Sequence, residues 1–498
     1  MMRLSGVSLS GLIFNYDDSE FFSKNPPIPM NGQAVDDRID LMARAGVTIF
    51  MCNINAQRAN YASSAFEPFW SGFDPQAGDD QPFLADMAPE DRPGYRKMCE
   101  NMLALHNQGV DYAARVISRC RHNGISPWIS LRMNDIHWND RLQHPIHSAF
   151  WKENHSCWRV PDRRINYFDR AMDYSQESVR NRHLALVKEA LARYDSDGLE
   201  LDFMRAPYLF RPGYELEGGK ILTEWLAQVR QLAVQAGQKR GHPVKLGVRV
   251  PVNPVTAYNL GLDAVLWVQC GLVDLVTVAP WFDTMDSNIP WFLWKRLLSP
   301  YPVTLAAGLE INAYSYPGGP GGVVDPETAV GAAIAALHGG ADIIYLFNYY
   351  QTSWCKNWPP GKYESTLRAM SSIRELDCLS RRHMVTFRDV LAPGELADHP
   401  LPATGSRLFF RLQTGPRPVG RTVTATIGLQ SPVGPEPEAP ELRVNGVVCS
   451  LQTQQDGVFT FKAPDAALAD VVQLLEVSNN KPITANRIEL DISGATPA

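Results

Sequence analysis

The chain has 498 residues, of which 45% are hydrophobic and 20% charged, with a formal net charge of −6. That length supports two or three domains and a sizeable core. The acidic balance argues against a general nucleic-acid or anionic-membrane binder, and no apolar run of 18 or more residues predicts a membrane span.

The first residues, "MMRLSGVSLSGLIFNYDD", place one Arg ahead of a short apolar run without a small-residue cleavage site, and they lead into the first strand. The cytoplasm is therefore the expected location, or the periplasm or exterior if an export signal has been removed. Cysteines at 52, 99, 120, 157, 270, 355, 378 and 449 show no CxxC and no metal-ligand spacing. They read as mostly free, buried thiols of a reducing compartment.

Strand-like runs then alternate with helical patterns. "SGLIFNY" (10–16) is followed by a helix over 35–46 and by the strand "VTIFMCNIN" (47–55). A helix over 109–124 leads to "SPWISLRMND" (126–135), and a helix over 175–194 leads to "DGLELDF" (197–203). Next come a helix over 220–239, "VKLGVRVPV" (244–252), a helix around 259–270 and "DLVTVAPWF" (274–282). The helical "IPWFLWKRLLS" precedes "VTLAAGLEI" (303–311). The stretch 325–340 has an Asp cap, a Pro in the first turn and terminal glycines, ahead of "ADIIYLFNYY" (341–350). Eight such units predict an α/β fold, a (β/α)8 TIM barrel over 1–380 with insertions at about 56–95 and 136–172. Beyond it, short alternating segments and a Pro-rich turn at 431–441 predict a C-terminal antiparallel β-sandwich over 381–498.

Active sites of such barrels sit at the C-terminal ends of the strands. Collected there are Arg132, Asn134, Asp135, His137 and Trp138 after strand 3, and Glu200, Asp202 and Arg205 after strand 4. Arg249 and Asn253 follow on strand 5, Trp281, Asp283 and Asp286 on strand 6, Glu310 and Asn312 on strand 7, and Asn348, Tyr349 and Tyr350 on strand 8. Glu200 and Asp202, two apart, share one face. Glu200, the deeper acid, is expected to pair with Arg132 or Arg249, while Asp202 is expected at the rim. "HPIH" (144–147) has metal-like spacing but no nearby acid to complete a site.

Two carboxylates flanking a bond are the usual machinery of glycoside hydrolysis. On this reading Asp202 is the catalytic nucleophile and Glu310 or Asp283 its partner. Arg132, Asn134, His137, Trp138, Glu200, Arg205, Arg249, Trp281, Asn348 and Tyr349 would contact substrate, with Trp281, Tyr349 and Trp138 stacking on sugar rings. Three arginines (132, 205, 249) either recognise an acidic glycan, a uronate or sulfated saccharide, or balance the barrel carboxylates. No cofactor or metal is required. The partner is an oligo- or polysaccharide, with homo-oligomerisation left open. Two alternatives stand beside this reading: a non-catalytic glycan-binding barrel, and a metal-assisted lyase or hydrolase using His137, Asp135 and Glu200.

"YDSDGLELDFMR", "ISLRMNDIH" and "DYSQESVRNRHLALVKEAL" resemble the (β/α)8 glycoside hydrolases, especially the family 10-like bacterial group, over about residues 1–375. The resemblance implies a barrel hydrolase followed by a sandwich. Against the chitinase DGxDxDxE strand, Met204 stands where the catalytic glutamate would be, which argues against chitinase-type chemistry. The strand-4 aspartate of α-galactosidase-like barrels is the nearer analogue of Asp202, with Asp283 as acid.

Overall fold

The computed structural model describes residues 9–24, 30–397, 399–430 and 438–494. The first eight residues and most of the Pro-rich turn at 431–441 lie outside them. The barrel strands are β1 (Leu12–Tyr16), β2 (Ile49–Asn53), β3 (Ser126–Arg132), β4 (Gly198–Asp202), β5 (Lys245–Pro251), β6 (Leu275–Ala279) and β7 (Thr304–Leu309). A small hairpin, β8 (Asn312–Tyr314) with β9 (Gly321–Val323), precedes the last barrel strand, β10 (Ile343–Phe347). They close in the order β1-β10-β7-β6-β5-β4-β3-β2, the predicted TIM barrel. The chain forms two compact units, one holding residues 13–277 and 301–304, the other holding 278–300 and the chain from 305 on.

In the first unit, side-chain size sets the barrel interior. A Cβ on Gly198 would lie 2.2 Å from the Trp128 indole, and one on Gly247 would lie 3.1 Å from it. Two strands thus give up side chains so that one indole can fill the floor. The register continues upward in layers: Ser130 stands beside Glu200 and Glu200 beside Gly247, then Arg132 beside Asp202 and Asp202 beside Arg249. Period-two alternation sends the intervening Leu199 and Leu201 to the opposite face, where they are fully buried. The inward face thus turns from aromatic to charged as it rises toward the strand ends.

In the second unit, the helix Pro326–Gly339 begins and ends as its sequence predicts. Asp325 accepts from the Thr328 N–H, Pro326 occupies the first turn, and Gly340 takes φ of 119° at the end. The remaining strands are β11 (Arg381–Met384), β12 (Ala403–Gly415), β13 (Val423–Leu429), β14 (Glu441–Val444), β15 (Val447–Val448), β16 (Ser450–Gln455), β17 (Val458–Ala463) and β18 (Val471–Ile492). They form the antiparallel sandwich. The 22-residue β18 pairs with β12 over 471–478 and again over 483–485, and with β13 over 485–492. In β12 the buried Leu408, Phe410 and Leu412 alternate with exposed Phe409 and Arg411. Their buried side joins Ile427, Phe459, Phe461, Val477 and Leu490 in one apolar core.

All eight cysteines are free, six of them buried. Among the described residues, no helix is long and apolar enough to cross a membrane.

Candidate active site

The charged layer of the first unit continues into the loops beyond the strand ends. Arg132, 5% exposed, pairs with Asp17 just past β1 and, at 3.1 Å, with Asp135. Asp135 is fully buried and accepts from His137 Nδ1 at 2.7 Å. Arg205 NH2 lies 3.0 Å from His137 Nε2. A guanidinium can only donate, so Nε2 faces Arg205 as an acceptor while Nδ1 faces Asp135. The His137 side chain is 44% exposed and that of Asp17 is 19% exposed, so both meet solvent.

One layer in, Asp202 and Arg249 form an ion pair at 3.2 Å, each 1% exposed. Asp202 also accepts the Met204 N–H at 2.9 Å and so caps the turn that carries Arg205. Deeper still, Glu200 accepts from Ser130 at 2.7 Å and Asn15 at 3.1 Å. The expected pairing of Glu200 with Arg132 or Arg249 is corrected on this point: Arg132 turns to Asp17 and Asp135, and Arg249 to Asp202. Asp202, expected at the rim, is sealed by its arginine.

These arginines set the charge states. Burial opposes ionisation of Asp17, but Arg132 and then Arg205 outweigh it and hold its pKa at about 2. Burial likewise opposes ionisation of Asp135, and His137, Arg132 and Arg205 keep it well below the usual carboxylate range. The next residue after Asp17 goes the other way. Burial raises Asp18 well above its ordinary value, beside the Tyr112 hydroxyl that donates to it at 2.8 Å. Adjacent aspartates are therefore shifted in opposite directions.

The other predicted residues take varied places. Asn134 exchanges hydrogen bonds with the Met172 backbone at 3.0 and 2.9 Å and anchors the second insertion. Trp138, 43% exposed, adopts φ of 56°, a left-handed conformation rare for a bulky residue, and stacks on His144. His144 and His147 of "HPIH" pack on Trp138 and Trp151. Among the described residues no three His, Cys, Asp or Glu side chains gather as metal ligands; Asp135 and His137 bind each other, whereas Glu200 faces Ser130 and Asn15.

In the second unit, Glu310 is 1% exposed and accepts its neighbour Ile311's N–H at 2.9 Å. Tyr349, expected to stack on sugar, is instead fully buried, its hydroxyl donating to the Glu310 carbonyl at 3.2 Å. Asn348 has φ of 64° and accepts from Tyr350 at 2.6 Å. Asp283 is exposed and half-buried Trp281 precedes it. Asp389 accepts the backbone N–H groups of Trp281, Phe282 and Asp283 at 3.0–3.2 Å. Partial desolvation raises Asp283, and burial pushes Asp286 up to about 6 and Asp389 up to about 7.

Sequence reasoning missed Asp17, Asn15 and Asp389. The first two lie in "FNYDD" (14–18) at the end of the first strand, where two acids directly after an apolar run are a signal. Asp389 lies in an irregular segment with no periodicity to mark it.

No protein-family model and no curated protein matches the chain. Similar solved structures include the PgaB glycoside hydrolase domain from Bordetella bronchiseptica, at 10% identity, covering 73% of this chain and 99% of that one, with a TM-score of 0.43. Thermotoga maritima α-fucosidase is 11% identical, covers 93% and 82%, and has a TM-score of 0.34. A Lactobacillus plantarum α-amylase is 10% identical, covers 94% and 98%, and has a TM-score of 0.38. Likeness at this level assigns no chemistry to the chain, which its own residues must supply.

Proposed function

We propose that the protein hydrolyses a glycosidic bond at the C-terminal ends of its barrel strands. One observation carries the reading: aspartates, arginines and a histidine with partners at both ring nitrogens converge at the ends of β1, β3, β4 and β5, with Asp17 held ionised and partly open to solvent. An oxocarbenium-like transition state is stabilised by such a fixed negative charge. Asp202 and Asp17 are the carboxylates assigned to that role. Asp283 and Glu310 are the candidate proton donors. The strand-4 likeness to family 10-like hydrolases agrees with this reading.

The three arginines are met by charge balance as well: Arg132 pairs with Asp17 and Asp135, Arg249 with Asp202, and Arg205 contacts His137. The sealing of Asp202 and Glu310 at 1% exposure favours the second reading, a glycan-binding barrel without turnover.

Reducing-end release from a panel of neutral and acidic oligosaccharides decides between them. Wild type should act on one class, and folded Asp202→Asn or Asp17→Asn should lose at least about 100-fold in rate. Glu310→Gln and Asp283→Asn identify the proton donor by which of them loses activity. Full activity in both Asp202→Asn and Asp17→Asn would sink the assignment.

A further inference from the structure

The two insertions after β2 and β3 enclose an open pocket in the first unit, about 530 Å³ in volume. That lies within the roughly 300–1,000 Å³ range of small-ligand clefts. Its walls are Arg58, Phe83, Asp86, Gln143, Pro145 and Lys152. Arg58 is 10% exposed, lies 5.7 Å over the Phe83 ring, and donates to the carbonyls of His147 at 3.2 Å and Ser71 at 2.9 Å. Its carboxylate neighbour, Glu67, stands 3.8 Å away and spends both oxygens on the Ala149 N–H at 3.1 Å.

Lys152 is the less satisfied cation. Its ammonium reaches the Gln143 carbonyl at 3.4 Å, and among the described residues no carboxylate lies within ion-pairing distance of it. Burial first, and then the neighbouring Arg58 charge, lower its pKa, while Glu67 and Asp86 act in the opposite sense. The half-buried Lys152 thus feels the charge of the buried Arg58, a repulsion that an anion bridging the two would relieve. Asp86 accepts the Gln143 N–H at 2.8 Å, which leaves lone pairs for hydroxyl donors. The pocket thus offers cations, an acceptor and an aromatic face together.

We propose that this pocket binds an anionic sugar unit, a uronate or a sulfated residue. Its carboxylate or sulfate would bridge Lys152 and Arg58, its hydroxyls would donate to Asp86, and its ring would lie on Phe83. The proposal deepens the saccharide reading above and places charge recognition here rather than at the strand-end arginines.

Calorimetric titration of the full chain tests it, with a glucuronate-containing disaccharide, its sulfated analogue and the neutral glucose counterpart as probes. Wild type should bind an anionic probe at least about tenfold more tightly than the neutral one. The preference should weaken with added salt. Lys152→Met, which keeps the aliphatic stem, should abolish the preference, and Lys152→Arg should retain it. Equal affinity for charged and neutral probes, binding of none of them, or a preference unchanged in Lys152→Met would overturn the proposal. Hydrolysis of glycans without charge preference would remove this pocket's role and leave the glycosidase reading intact. Charge-dependent binding with no hydrolysis of any glycan would do the reverse.

Discussion

The Asp202–Arg249 pair is the residue on which the site's integrity turns. Both partners are 1% exposed, so neither charge can be relaxed by water. Removing one partner of a buried pair typically costs about 3–5 kcal/mol, because the other is left uncompensated. Arg249→Met should therefore destabilise the protein by that order in denaturant titration, and Arg249→Met with Asp202→Asn should recover part of the loss. A near-neutral single variant would mean that water reaches Asp202 after all. Asp17 makes a pH-dependent counterpart. Its pKa falls from 3.8 to about 2 on folding, so between these values the unfolded chain binds more protons than the native one. Its contribution is present above about pH 4 and is lost as pH falls toward 2. Acid titration of stability should flatten in that window in Asp17→Asn. The pairing of Glu200 with Asp202 on one face was legible because strand periodicity is local. Which arginine each acid meets was not, since Arg132 finds Asp17 across 115 positions of chain.

At the scale of elements, caps and periodicity made most boundaries legible, as the Asp325–Pro326–Gly340 helix illustrates. The helix Arg92–Asn107 carries little sequence signal, because Pro93, Gly94 and two asparagines dilute its pattern. It is held by burial of Met98, Met102 and Leu105. The loop after β6 shows why irregular segments resist reading: it is tied down by a carboxylate more than 100 positions later, as Asp389 accepts three successive N–H groups from 281–283. Those N–H donors favour the ionised form, but burial, with Asp283 and Asp286 nearby, outweighs them and pushes the Asp389 pKa up to about 7. A raised carboxyl binds more protons in the native state, so its stabilisation is present below about pH 4 and lost as pH rises through 7. Asp389→Asn keeps an acceptor oxygen without the charge. It should match wild type in thermal stability at pH 4 and exceed it at pH 8. Identical pH profiles for the two proteins would show that Asp389 stays ionised without cost.

For the whole molecule, alternation of strand and helix and the change of texture near 380 were enough to foresee a barrel followed by an antiparallel sheet. What pattern could not convey is how tightly the last barrel helix is built into the second unit. On Gly331 of Pro326–Gly339 an added Cβ would lie 2.0 Å from the Arg382 carbonyl of β11, and on Gly415 of β12 it would lie 2.5 Å from Ile334. The helix meets the β11 backbone at Gly331, and β12 meets the Ile334 side chain at Gly415, close approaches that glycine permits. Arg382 adds ion pairs from β11 to Asp325 at the helix cap and to Asp491 on β18. A chain ending at residue 380 would therefore leave Gly331 and Ile334 facing water instead of β11 and β12. Such a truncation should express as an aggregating or protease-sensitive barrel, whereas the full chain should resist limited proteolysis around 378–385. Gly331→Ala in the full chain should destabilise by about 1–3 kcal/mol, the usual cost of overpacking. A soluble, cooperatively unfolding 1–380 fragment would show that the sheet is an appendage and that these close contacts form only after the barrel is complete.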